Sequence, residues 1–151
     1  MNLQLLKHLT QEHAAIADFL QLLDQEADAM THGQFTSLPE LAERKSQLAD
    51  NIALLGHDRE SEQIRLGFEA GRSGADAATA GDEALRNAWI KLQECAAQAH
   101  EHNHRNGVMI HTHLDFTRQA ISFLKASGKP LYGPDGAHKT GRGTGNSLAL
   151  G

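Results

Sequence analysis

Histidines are the residues of this chain that could most readily do chemistry, because five of its ten histidines lie between residues 100 and 113. At about 100° per residue, His100, His104 and His111 fall within about 40° of one another on one helix face. Two histidines four residues apart, such as His100 and His104, can share one metal ion. A metal-responsive face is therefore one hypothesis, and solvated side chains that flank a helix seam are the alternative.

Other catalytic patterns are incomplete. A di-iron bundle needs Glu-x-x-His on two helices, and only Glu101-x-x-His104 is present. Cys95 is the only cysteine, so an intramolecular disulfide and a Cys-based zinc cluster are excluded, and a small packed thiol is expected. The glycine-rich run 141–145 lacks the strand and the helix that flank a phosphate loop. We therefore expect no enzyme, no metal site and no cofactor.

The composition indicates an all-α protein. Alanine and leucine contribute 22 and 20 residues, whereas valine and isoleucine contribute 1 and 6, and sheets favour β-branched residues. The formal net charge of −5 disfavours general nucleic-acid binding, which needs a basic surface. Neither a signal peptide nor an apolar run of about 18 residues is visible. These features predict a soluble cytoplasmic protein without membrane insertion.

Apolar spacings of three and four residues predict the first two helices of the bundle. The first ends near residue 32, where Gly33 is well placed as the left-handed residue that follows a helix. The second begins at Ser37-Leu-Pro-Glu40, in which Ser37 and Glu40 are expected to form a capping box. Residues 71–81 have small side chains and three glycines, so a loop is predicted there.

A third, very long helix is predicted from a cap at Asp82 to about Ser127. At 1.5 Å per residue it is about 65 Å long, so we expect it to project beyond its partners in an elongated antiparallel bundle of three main helices. The segment 128–151 contains seven of the fourteen glycines and is expected to be a flexible tail. Residues 1–127 then form the helical domain.

Two features of the third helix allow alternative interpretations. Asn103, Asn106 and Gly107 interrupt its apolar stripe, either as a tight helix crossing or as a hinge between two halves. The stripe beyond them, from Ile110 to Leu124, is either core or a surface that binds a partner. A homodimer in which the stripes of two copies pair is a further alternative.

Several segments resemble the FlgN family of flagellar export chaperones. They are His102-Asn-His-Arg-Asn-Gly-Val-Met-Ile110, Ile121-Ser-Phe-Leu124 and Leu131-Tyr-Gly-Pro-Asp-Gly136, with weaker similarity in 22–26 and 41–46. The resemblance implies a cytoplasmic chaperone that binds the hook–filament junction proteins FlgK and FlgL. Such a chaperone keeps its clients unpolymerised and delivers them to the export gate. A generic helical adaptor, or a metal-responsive one that uses His100, His104 and His111, is the alternative.

The same resemblance implies where two kinds of partner bind. Tyr132 would dock on the cytoplasmic domain of the export-gate protein FlhA, unless Leu131 and Tyr132 fold back over the end of the bundle. The client would bind the C-terminal half of the third helix, through Ile110, Leu114, Phe116, Thr117, Ile121, Phe123 and Leu124.

Overall fold

The structure is a computed structural model that describes residues 2–128. Within this range there are four α-helices, one short 3-10 turn and no strand, so the prediction of an all-α fold is confirmed. The helices are α1 (Leu3–Thr31), α2 (Leu38–Arg65), α3 (Gly71–Thr79) and α4 (Glu83–Ala126), and the 3-10 turn is Phe35–Ser37. The chain divides into two units, Met1–His104 and a second that begins at Arg105, and each is described separately.

Helices α1 and α2 of the first unit are antiparallel. Glu26 near the end of α1 pairs with Lys45 near the start of α2, whereas Glu12 near the start of α1 pairs with Arg59 near the end of α2. As the residue number increases along α1, the number of its partner on α2 decreases, and only antiparallel helices pair in this order. Gly33 has a φ of +70°, so the predicted left-handed turn after the first helix is confirmed.

The core of the first unit joins α1, α3 and the first part of α4. Removal of these apolar side chains from water is the main favourable term in its folding. A smaller cluster of Leu22, Ala29 and Leu41 lies between α1 and α2. The main cluster consists of Leu5, Leu9, Ile16, Leu23, Ala75, Leu85, Trp89, Leu92, Cys95 and Ala99.

A buried polar network also crosses this unit, and the sequence analysis missed it. The Arg59 side chain donates two hydrogen bonds to the Glu12 carboxylate, at 2.6 and 3.3 Å, and a third to Gln63. Its guanidinium lies 4.9 Å from the centre of the Trp89 ring, and the Trp89 indole N–H donates to Asp76 at 2.7 Å. Hydrogen bonds thus join α1 to α2 and α3 to α4, and the contact of the Arg59 guanidinium with the Trp89 ring links the two pairs of helices.

The predicted capping box at the start of α2 is wrong. The Ser37 backbone has helical angles and its side chain makes no capping hydrogen bond. Its hydroxyl instead donates to the Gln34 carbonyl at 2.7 Å. The 3-10 turn that precedes α2 places Ser37 in this conformation, whereas a capping residue needs an extended one.

The predicted loop at 71–81 is also wrong, because α3 occupies most of it. Gly71, with φ +85°, turns the chain into the helix, and Gly81 lies beyond its end. The Gln63 side chain donates to the Glu69 and Gly71 carbonyls at 2.9 and 3.1 Å, which ties the connection to α2. A Cβ at Gly74 would lie 1.7 Å from the Glu69 oxygen. Tertiary contacts, rather than the helix propensity of glycine, thus stabilise α3.

Burial and pairing shift the pKa of three groups in the first unit, and in one of them the hydrogen bond with Glu62 raises the pKa of the Arg65 guanidinium. A hydrogen bond from Arg65, reinforced by the charges of Arg65 and His8, holds the pKa of the Glu62 carboxyl below its ordinary value, against the opposing effect of burial. Burial raises the pKa of the Cys95 thiol, so this free cysteine is a packed thiol, as expected.

Candidate partner-binding surface

Helix α4 positions every candidate client-binding residue on one continuous element. Its first turn is capped by the Asp82 carboxylate, which accepts hydrogen bonds from the Ala84 and Leu85 amides at 2.9 and 3.2 Å. The predicted cap and the predicted length of this helix are thus confirmed. It ends where the Gly128 amide, at a φ of +76°, donates to the Lys125 carbonyl at 3.2 Å.

Five of the seven candidate client-binding residues form a row that we call the stripe. Their spacings are four, three, four and three residues, so they span about 80° of the helix surface. Each is half-buried, and the Thr117 hydroxyl donates to the His113 carbonyl at 3.0 Å instead of presenting a free donor on the stripe. The stripe consists of Ile110, Leu114, Thr117, Ile121 and Leu124.

The other two candidates, Phe116 and Phe123, lie outside the stripe. Their side chains are 69% and 72% exposed, which places them among the most exposed large apolar residues of the described chain. They are seven residues apart, so they lie within about 20° of each other on the helix. We call this pair the phenylalanine row.

The three residues predicted to set register or act as a hinge have different environments. Asn103 is exposed and Asn106 is completely buried, so only Asn106 occupies the position expected of a seam residue. A Cβ built at Gly107 would meet no atom within 4 Å among residues 2–128. The tight crossing and the hinge both stay predictions for this position.

The histidine-rich segment does not form a metal centre in the described part of the chain. Residues 2–128 contain no group of three or more His, Cys, Asp or Glu side chains that could hold a metal ion. His100 and His104 are exposed in the first unit, and His111 is exposed in the second. The Nδ1 atom of His102 lies 3.5 Å from the Asp24 carboxylate, and this contact is an ion pair only when the imidazole is protonated.

Charge differs sharply between the two units. The segment 1–104 contains 17 acidic and 8 basic residues, a net charge of −9, whereas 105–151 contains 2 acidic and 6 basic residues, a net charge of +4. The described part of the second unit has three basic residues, Arg105, Arg118 and Lys125, and one acidic residue, Asp115. An apolar helix with basic flanks suits acidic, amphipathic ligands. No helix within 2–128 has the length and apolar character needed to span a membrane.

The candidate gate-docking residue Tyr132 lies outside the described residues, as does its neighbour Leu131. The predicted tail likewise begins at the last described residue and extends beyond it. The described surface of the second unit is therefore the stripe, the phenylalanine row and their charged flanks.

Comparison with known proteins identifies the family. A family model described as FlgN protein matches residues 1–140. The flagella synthesis protein FlgN of Yersinia enterocolitica serotype O:8 / biotype 1B (strain NCTC 13174 / 8081) is 25% identical over 135 residues, which cover 87% of each chain. The protein of the same name from Yersinia enterocolitica gives the same values. No solved structure matches the chain significantly. Because the family model matches far more than half of the chain, the protein belongs to the FlgN family.

Proposed function

We propose that this protein is a cytoplasmic flagellar export chaperone. It binds the amphipathic terminal helices of hook–filament junction proteins of the FlgK and FlgL type, prevents their premature polymerisation and delivers them to the export gate. The family match and the name of its relatives, flagella synthesis protein, support a flagellar role. The choice of client and the delivery step are the parts of the proposal that experiment must test.

The observation that carries this proposal is the apolar surface of α4 beyond Arg105. A polymerising subunit exposes an amphipathic helix, and another helix with an apolar stripe can cover it in a helix-in-groove arrangement. The stripe supplies aliphatic side chains at the required spacing, and Phe116 and Phe123 add exposed aromatic area. Aromatic side chains of this kind often dominate binding energy at interfaces.

Masking of a client needs no chemical step. An equilibrium complex lowers the concentration of the polymerising form in proportion to its stability, so neither nucleotide nor metal enters the proposal. Tyr132, the only tyrosine, would act separately as the anchor for the FlhA cytoplasmic domain. In the absence of client, pairing of the stripes of two copies would give a homodimer.

The experiment compares two charged variants of the full chain. Leu114→Asp/Ile121→Asp places carboxylates on the stripe and should abolish binding of a FlgK-type subunit, whereas Leu54→Asp alters an exposed leucine on α2 and should not. Circular dichroism checks folding. If the double variant unfolds, Leu114 and Ile121 belong to the core and the proposed surface is wrong.

Gate docking is tested by a separate substitution. Tyr132→Ala should weaken binding to the FlhA cytoplasmic domain and leave the affinity for FlgK unchanged. An equal loss of affinity for FlhA and for FlgK would place Tyr132 in the client site and contradict the proposal that the gate and the client bind at separate residues.

A further inference from the structure

Asn106 and Gly107 form an Asn-Gly step inside α4 that the proposed function does not use. Asn106 is completely buried, whereas Gly107 is exposed. A Cβ built on Gly107 would meet no atom within 4 Å among residues 2–128, so the described chain leaves this position open. Glycine in a helix interior lowers the stability of the helix relative to alanine, and α4 therefore has a locally weak turn beside a buried asparagine.

An Asn-Gly step can modify itself without an enzyme. The backbone nitrogen of Gly107 attacks the side-chain carbonyl carbon of Asn106 and forms a new C–N bond. The C–N bond of the side-chain amide breaks, and ammonia leaves with the proton of the backbone nitrogen. The resulting succinimide takes up one water molecule at either of its two carbonyls, which gives aspartate or isoaspartate at position 106. Glycine favours the attack because it has no side chain to hinder the approach.

The closed helix holds the two atoms apart. At the helical ψ of about −42°, the side-chain carbonyl carbon of Asn106 cannot come within bonding distance of the next nitrogen. The Gly107 amide is also positioned to donate to the Asn103 carbonyl, as the helical pattern requires. The reaction therefore needs an opening of α4 around Gly107, and such local openings cost less free energy than global unfolding. His104, the last residue of the first unit, is only three residues away.

We propose that Asn106 is a self-modification site, which deamidates when α4 opens locally at Gly107 while the first unit stays folded. The product does not fit the closed helix. An aspartate at position 106 would place a charge in a completely buried position, and isoaspartate adds an atom to the main chain and disrupts the helical hydrogen bonds. Deamidation thus makes a transient opening of α4 permanent. The site is independent of the proposed function, because the reaction needs only water and this chain.

The test follows deamidation in the full chain by mass spectrometry of its proteolytic peptides, with and without denaturing urea at mildly alkaline pH. Asn103, which lies on the same helix and precedes His104, is the matched control. In urea, Asn106 should react severalfold faster than Asn103. Without urea, Asn106 should still react, but at least about tenfold more slowly than in urea, because only the open fraction of α4 is reactive.

Two variants distinguish local opening from global unfolding. Val108→Ala replaces an exposed valine with a better helix former, so it should slow the reaction at Asn106 about two- to threefold without urea and leave the rate in urea unchanged. Arg59→Met breaks the buried ion pair with Glu12 and weakens the first unit as a whole. If the opening is local, this variant should leave the rate without urea unchanged.

Four results would overturn the proposal. Equal rates at Asn106 and Asn103 in urea would show that the Asn-Gly step is not unusually reactive, and equal rates with and without urea would show that α4 does not protect it. No reaction at Asn106 without urea, or a rate that Arg59→Met raises in proportion to its loss of stability, would show that this turn opens only on global unfolding. None of these results affects the proposed function, which is tested separately by client binding.

Discussion

The Arg59 network makes a quantitative prediction about what holds the first unit together. Arg59 is 8% exposed and its principal partner Glu12 is 5% exposed. Arg59→Met preserves much of the side-chain volume and removes the charge, so it leaves the Glu12 carboxylate buried without its counterion. Loss of one partner of a buried ion pair costs about 3–5 kcal/mol, and we expect the free energy of unfolding to fall by this amount.

The double variant Glu12→Met/Arg59→Met should recover part of that loss. Replacement of both charges by apolar side chains removes the uncompensated carboxylate, and such replacements are often close to neutral. Gln63 still loses the hydrogen bond that Arg59 donates to it, and an unsatisfied buried polar group costs about 1–3 kcal/mol. The double variant should therefore be less stable than the unaltered chain by about 1–3 kcal/mol, and more stable than Arg59→Met.

Urea unfolding of the full chain, followed by circular dichroism and by Trp89 fluorescence, measures both losses. Trp89 is the only tryptophan and lies against Arg59, so its emission reports the network directly. Arg118→Met is the control, because its pairing with Asp115 at 3.9 Å is exposed and should contribute at most about 1 kcal/mol. A loss below about 1 kcal/mol for Arg59→Met, or a double variant no more stable than Arg59→Met, would refute the reasoning.

The remaining predictions concern four single positions. Gly107→Ala should stabilise α4 by up to about 1 kcal/mol without loss of client binding. Gly74→Ala should lower the free energy of unfolding by about 1–3 kcal/mol, because its Cβ would clash with the Glu69 carbonyl. Urea unfolding measures both changes, and equal effects would contradict the packing described. The lowered pKa of Glu62 stabilises the fold above the ordinary value of 4.5, and this contribution is lost as the pH falls through the folded-state pKa. The stability difference between the unaltered chain and Glu62→Gln should therefore shrink in acid, and a constant difference would count against the pairing. Burial, which raises the pKa of Cys95, should make its reaction with a disulfide reagent slow until urea unfolds the chain; a rate typical of an exposed thiol would contradict this.

The parts of the fold that follow from local pattern are predictable from the sequence. The long ladder of α4, its cap at Asp82 and the turn at Gly33 depend on apolar period and on local hydrogen bonds, which the sequence encodes directly. Helix α3 depends on tertiary contacts of Gly74 and Gln63 instead, and its small residues resemble a loop in isolation. The capping box predicted at Ser37 is wrong for a similar reason, because the 3-10 turn before α2 determines whether the Ser37 hydroxyl can cap this helix.

The buried polar network shows the limit of an apolar pattern. In α2, the half-buried apolar residues Leu48, Ile52 and Leu55 are followed, at spacings of four residues, by Arg59 and Gln63. A search for apolar residues alone ends this row at Leu55. The polar residues at its next positions are themselves the sign of a buried polar pair. The separation of Phe116 and Phe123 from the stripe was likewise present in the spacing, but their exposure becomes evident only in the structure.

The central claim, that α4 beyond Arg105 masks a client helix, is tested most directly by calorimetric titration of the full chain with the terminal helical region of a FlgK-type subunit. The buffer contains a chelator, so that the histidine face cannot contribute through metal. We expect a one-to-one complex of about micromolar affinity or tighter with a negative heat-capacity change, the signature of buried apolar surface. Absence of binding heat at several temperatures would contradict it and limit the family relationship to the fold.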